Sequence, residues 1–266
     1  MKIELQPNKK IYFASDQHFG APTPELSKPR EAKFLAWLDE IKHDAQILFL
    51  MGDLFDFWHE WKYVVPKGYV RILGKLAELK DSGIDIYFFV GNHDLWMKDY
   101  LEEEIGIPVF FEKQYYEISG KNFLLAHGDG LGPGDKGYKR MKKLFTNPIA
   151  QWFFKWLHPD IAMKIAVYFS TKNKMISGVE DMKFLGEDKE FLILYSKEKL
   201  KSEKIDYFVY GHRHLPMILD LKIDENAANY VNLGDWISYF TYGVFDGEEF
   251  KILKHGDTEN AQSTQE

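Results

Sequence analysis

The sequence has no cysteine, which excludes disulfides and thiolate metal sites. Any metal must be held by His, Asp, Glu or Asn. No uninterrupted apolar run approaches the roughly 20 residues that span a bilayer. The opening MKIELQPNKK lacks the apolar core of a secretory signal. A formal charge of -7 gives no general pull towards nucleic acid, local basic patches aside. There is no internal repeat and no low-complexity block. These absences predict a cytoplasmic protein without a nucleic-acid partner, with no protein partner evident, and leave room for contact with a membrane surface.

What is present suits one large domain or one domain with an insertion: 266 residues, 45% hydrophobic and 28% charged. Aromatics reach 16%, enough for a substantial core or an apolar binding surface. Short apolar runs recur, each closed by Gly, Asn or Asp: KIYFAS, QILFLMG, IDIYFFVG and NFLLAHG. Their length matches buried strands. Between the first three lie helical patterns. Phe34, Trp37, Leu38 and Ile41 fall at i, i+3, i+4 and i+7, and VRILGKLAEL repeats the idea. This alternation predicts βαβ units and a mostly parallel sheet. Later runs (KIDYFVYG, PMILDLKI, NYVNLG and YFTYGVFDGEEFKIL) have short connections, with DG as a hairpin turn. They predict a second, more antiparallel sheet and an α/β sandwich. Residues 135 to 200 carry almost no strand signal, and PIAQWFFKWL and IAMKIAVYF read as two amphipathic helices broken at HPD. The tail after residue 254 is polar and expected to fray.

Five polar blocks follow the strand-like runs: SDQH (15–18), GDLFD (52–56), GNHD (91–94), AHGD (126–129) and GHRH (211–214). Ligands of parallel α/β sheets bind beyond the carboxyl ends of strands, so the blocks should meet. Five of the nine histidines lie in them; His43, His59, His158 and His255 do not and are read as structural. Any one block could be a turn or a helix cap. The set, with Asp16, His18, Asp53, Asn92, His127, His212 and His214, suits two divalent metals. Asp53 can offer one oxygen to each ion. A mixed N/O donor set favours Mn, Fe or Zn over Ca or Mg. Two ions about 3.5–4 Å apart activate a water and clamp an in-line phosphoryl displacement. His93, beside a ligand, is placed to contact phosphate or donate a proton.

In their order and spacing over residues 11 to 236 the blocks resemble the calcineurin-like metallophosphoesterase superfamily. That resemblance implies a four-layer αββα sandwich. It implies one ion, foremost Mn²⁺, on Asp16, His18, Asp53 and His214, and a second on Asp53, Asn92, His127 and His212. His93 would be the catalytic residue facing phosphate, with Asn92 beside it and Asp94 as the carboxylate orienting it. GDLFDFW, HGDGLGPGDKGYKRMKKLFTNPIAQWFFKWLHP and VNLGDW are similar to segments of bacterial UDP-2,3-diacylglucosamine diphosphatases. These cut the diphosphate of a doubly acylated sugar nucleotide in lipid A synthesis, giving UMP and an acylated sugar 1-phosphate. That leaves room for this chain to sit peripherally on the cytoplasmic face of the inner membrane. Their best-known members carry Arg where this chain has His93; Arg only clamps phosphate, whereas His can also give a proton. The same resemblance implies substrate contacts at Asn92, His93, Asp135, Tyr138, Asn173, His212, Trp152 and Phe153, and a helical lid inserted at about 135–200 in a single domain.

In that insertion Ile149, Trp152, Phe153, Trp156 and Leu157 form one stripe, and Ile161, Ile165, Tyr168 and Phe169 another. They fit an acyl channel or plain packing. Lys139, Arg140, Lys142, Lys143, Lys155, Lys164, Lys172 and Lys174 make the segment basic, which suits diphosphate, an anionic membrane or a solvated face. The alternatives are a phosphoesterase acting on soluble nucleotides or phosphodiesters, and a silent scaffold, which the full ligand set disfavours.

Overall fold

The structure, a computed structural model, describes residues 1–134, 136–177 and 183–256, and over 169–177 the backbone alone. Strands β1 (Lys2–Ile3) and β2 (Lys10–Ala14) lead into α1 (Pro24–Ile41), β3 (Ala45–Leu50), α2 (Val70–Asp81), β4 (Asp85–Phe89), α3 (Tyr100–Ile105) and β5 (Val109–Phe110). The hairpin β6 (Gln114–Ile118) and β7 (Lys121–Leu125) precedes three successive helices, α4 (Lys136–Phe145), α5 (Pro148–Lys155) and α6 (Pro159–Ser177). Then come α7 (Phe191–Leu200), β8 (Tyr207–Tyr210), β9 (Met217–Ile223), β10 (Asn226–Asn232), β11 (Thr241–Phe245) and β12 (Phe250–Lys254).

The strands form two six-stranded sheets, ordered β12-β11-β2-β3-β4-β5 and β1-β6-β7-β8-β10-β9. Alternation explains the unbroken apolar runs. Ile11, Phe13, Ile47 and Phe49 point inward and meet Phe123, Leu125, Val209 and Val231 of the other sheet. Tyr12, Ala14, Leu48 and Leu50 point outward under α1 and α2. Both faces of these strands are thus buried, as parallel strands require. On α1 the buried residues include Phe34, Trp37, Leu38 and Ile41, and on α2 they are Ile72, Leu76 and Leu79. Against the outer face of the second sheet, α7 buries Leu192, Ile193 and Leu200 with Phe208 and Tyr210. The layers are helix, sheet, sheet, helix.

Two expectations shift. The hairpin β11–β12 joins the first sheet, antiparallel to β2, rather than the second. The second sheet is mixed, with β7, β8 and β10 parallel. Phe245 and Phe250 fit the inter-sheet core, and that packing, invisible in a local pattern, decides the sheet.

For the site the consequence is simple. Strands β2, β3 and β4 run parallel in one sheet, and β7, β8 and β10 in the other. All five polar blocks directly follow these strands, and the sixth strand, β10, ends at the LGDW segment.

Candidate metal centre

The block residues meet at this shared end. Asp16, His18 and Asp53 are buried, as is His127. One group comprises Asp16, His18 and His214: His214 Nε2 lies 3.3 Å from both Asp16 Oδ1 and His18 Nε2. A second comprises His127, His212 and Asn92, whose Oδ1 lies 3.2 Å from His127 Nε2 and 2.8 Å from His212 Nδ1. Asp53 stands between them, with Oδ2 3.6 Å from His18 Nε2 and 3.5 Å from His127 Nε2.

The backbone is bent to achieve this. Asp16, His18, Asp53, His212 and His214 all have positive φ, from 46° to 67°, a region costly for non-glycine residues and common at functional sites. The loops brace one another: His18 N–H donates to Asp53 O at 2.9 Å and His212 N–H to Asp16 Oδ2 at 2.9 Å. A Cβ on Gly91 would strike the Asp53 carboxylate, and one on Gly211 would strike Ser15 Oγ and Asp16. Those two positions need glycine because side chains pack directly on the backbone.

Hydrogen bonding of the imidazoles decides what fits here. His127 Nδ1 lies 2.8 Å from the Met51 carbonyl, which only accepts, so Nδ1 carries the proton. Its Nε2 lone pair then faces the oxygens of Asn92 and Asp53. Likewise His214 Nδ1 pairs with Asp235 Oδ2 at 3.2 Å, turning Nε2 towards Asp16 Oδ1, a buried oxygen with no hydrogen-bond partner. Lone pairs aimed at lone pairs require a proton or a cation between them. Without metal, protons fill the role. Burial opposes the charge on His127, but Asp53 and Asp16 raise its pKa to about 10. Burial likewise opposes His214, and Asp16 and Asp235 raise it to about 10. Burial works against ionised Asp16 and Asp53 too, yet the surrounding histidines hold both well below the usual carboxylate range. His212 is pushed down by burial and by His127. The donor set thus suits a divalent cation pair, with His127 and His214 each backed by a fixed partner.

His93 stands beside the first group, its ring 4.6 Å from that of His18. Its Nδ1 lies 2.9 Å from the Asp56 carbonyl and 3.5 Å from Asp56 Oδ1. Asp94 does not orient it. The Asp94 carboxylate instead accepts the amide N–H groups of Gly91 at 2.6 Å and Leu54 at 3.0 Å, tying two loops together. Burial and the Asp53 charge push Asp94 up to about 8, against the pull of those amides. Asp56 and Asp235 are the partners that sequence reading missed. Each is a carboxylate just past a strand, the same signal that singled out the five blocks.

Further out, the expected contacts divide. Tyr138 donates its hydroxyl to Asp129, and its ring lies 6.3 Å from that of His212. Asp135 and the side chain of Asn173 lie outside the described residues. Trp152 and Phe153 are not brought to the site. They are 55% and 64% exposed and cluster on the outer face of α5 with Trp156. The inward residue of α5 is Phe154, packed on Trp96, Phe57 and His59. Periodicity marked an apolar face, but α5 is apolar on both sides. A cavity of about 230 Å³ opens beside His93 and Asn92, walled by Trp96, Met141, Phe145, Phe154 and Ile165. His59 stays structural: buried among Trp61, Trp96 and Phe154, it is pushed down to about 4 by burial and by Lys98 and Lys155.

Residues 9–216 match the calcineurin-like phosphoesterase family. A UDP-2,3-diacylglucosamine hydrolase of Porphyromonas gingivalis is 40% identical, covering 94% of this chain and 99% of that protein. Proteins of the same description from Edwardsiella ictaluri and Yersinia pestis are 27% and 26% identical. They cover 91% and 84% of this chain, and 90% of each relative.

Proposed function

The chain belongs to the calcineurin-like phosphoesterase family, and from that premise we propose that it hydrolyses the diphosphate of UDP-2,3-diacylglucosamine, releasing UMP and 2,3-diacylglucosamine 1-phosphate. The observation that carries this reading is the apolar cavity, which begins at His93 and Asn92 and ends at Phe154 and Ile165. A soluble nucleotide would leave it empty. Each buried CH₂ contributes about 0.8 kcal/mol, so acyl chains can supply much of the binding energy.

Asp16, His18, Asp53 and His214 would hold one ion and Asp53, Asn92, His127 and His212 the other, with Mn²⁺ the metal the donor set suits best. Bound there, the pair supplies Lewis-acid polarisation and a nucleophilic water at neutral pH. The chain's own residues do the rest. The Asp56 carbonyl fixes one proton of His93 on Nδ1, so Nε2 can contact a phosphate oxygen only through a second ring proton. When the ring carries both protons, Nε2–H donates to the departing oxygen. Gly91 and Leu54, held by Asp94, keep Asn92 and Asp53 in place. Helices α4 to α6 act as a lid that shelters the acyl chains from water. Among the described residues no helix is long and apolar enough to cross a membrane. We place the protein in the cytoplasm, with the exposed Trp152, Phe153 and Trp156 resting on the inner membrane, where the lipid substrate resides. Vesicle co-sedimentation tests that contact.

The reading is tested by comparing UDP-2,3-diacylglucosamine with UDP-N-acetylglucosamine on Mn-loaded protein. Hydrolysis of the acylated compound alone is expected; equal rates would remove the acyl cavity from the account.

A further inference from the structure

A second cavity, of about 440 Å³, borders the metal centre at His127 and Asp129. Helix α4 separates it from the apolar one, and the helix repeat explains how. Met141 and Phe145, four apart, line the apolar cavity; Lys139, Lys142 and Lys143, three and four apart, line the other. Lys113 and Phe111 also line it, together with the apolar Phe89, Val90, Phe110 and Leu131. Four lysines face two carboxylates there, Glu112 and Asp129. Lys142 donates to Asp129 and Lys139 to the Gly132 carbonyl, each at 2.6 Å, and Lys113 interacts with the Tyr195 hydroxyl. Lys143 has no such partner among the described residues, and Phe111 is 53% exposed at the rim. A lysine-lined cavity with an open aromatic face, beside the candidate metal centre, has the chemistry to receive a nucleotide: ammonium for phosphate, ring for base.

We propose that this lysine-lined cavity is the subsite for the uridine nucleotide half of the substrate, with α4 as the wedge that sends the two halves to opposite sides. The inference rests on the reading of the substrate given above. It makes the enzyme's specificity two-sided: acyl chains enter past Met141 and Phe145, and the nucleotide lies along Lys143, Lys113 and Phe111. The volume lies within the range of small-molecule sites, about 300–1,000 Å³.

Binding of UMP and of 2,3-diacylglucosamine 1-phosphate to the Mn-loaded full chain is measured by titration calorimetry for wild type, Lys143→Ala, Lys113→Ala and Phe111→Ala. All three positions are on the surface or partly so, and circular dichroism checks the fold. Each lysine variant should weaken UMP binding about tenfold, the loss of one charge-assisted hydrogen bond. Phe111→Ala should weaken it several-fold, and the KM for the full substrate should rise more than kcat falls. Affinity for the acylated 1-phosphate should stay within about twofold. UMP binding that is unaltered, or equal losses for both products, would overturn the subsite. Failure of the wild type to hydrolyse UDP-2,3-diacylglucosamine would instead overturn the substrate reading, while UMP affinity would still report on the cavity.

Discussion

The backbone carbonyl of Asp56, not a side chain of its own loop, holds the Nδ1 of His93 at 2.9 Å. The tautomer of His93, the residue proposed to face phosphate, is thereby set by the loop after β3. His93→Ala should lower kcat by about 10²–10⁴, the usual weight of an acid or phosphate-positioning group, with bound metal retained. His93→Arg separates the roles: a clamp survives the exchange, a proton donor does not. Metal analysis and steady-state kinetics of both variants check this, and wild-type turnover in the Ala variant would take His93 out of the site.

Asp53→Ala removes the oxygen that lies within 3.6 Å of histidines in both groups. Activity should be abolished and metal content reduced, as read by elemental analysis. Full metal content with full activity would contradict a shared bridging ligand.

The metal-free protein should titrate in a defined direction. His127 and His214 are raised to about 10 from an unfolded value of about 6.5. A raised pKa gives stability that is fully present below the unfolded value and lost as pH climbs through the folded one. The Tm of apoprotein should therefore fall between about pH 6.5 and 10, while Mn-loaded protein shows less of that fall. Metal displaces those protons, so Mn affinity should increase with pH over the same window.

Arg213 forms a bidentate pair with Glu190 at 3.0 Å on each arm, and sits between the left-handed residues His212 and His214. Glu190→Gln should weaken metal affinity about 10–100-fold, as loss of an outer partner does. Normal affinity would show that the loop holds its shape unaided.

Phe154→Ser and Ile165→Asn should damage hydrolysis of the acylated substrate severely and barely change cleavage of a small chromogenic phosphodiester. Phe153→Ser, one residue along, should act on vesicle binding and not on turnover in detergent. Proportional loss on both substrates at Phe154 would reduce the cavity wall to packing.

These positions also mark the limits of reading the chain by itself. The block residues were legible because each metal-type ligand lies within a few residues of an apolar strand, and strand direction carries them together. The partner of His93 was not: Asp94 is its neighbour in sequence, but successive loop residues point apart, and Asp56 arrives from another strand. Nor was the inward side of α5, where Trp152, Phe153 and Phe154 are all apolar and only the fit against Trp96 selects Phe154. The destination of β11–β12 depended in the same way on a core contact, that of Phe245 with Phe123.

The reaction proposed for this chain is cleavage of one specific bond. Purified, Mn-loaded protein incubated with UDP-2,3-diacylglucosamine and followed by phosphorus NMR and mass spectrometry should give UMP and 2,3-diacylglucosamine 1-phosphate in equal amounts. Release of UDP, or intact substrate alongside turnover of soluble phosphodiesters, would contradict it.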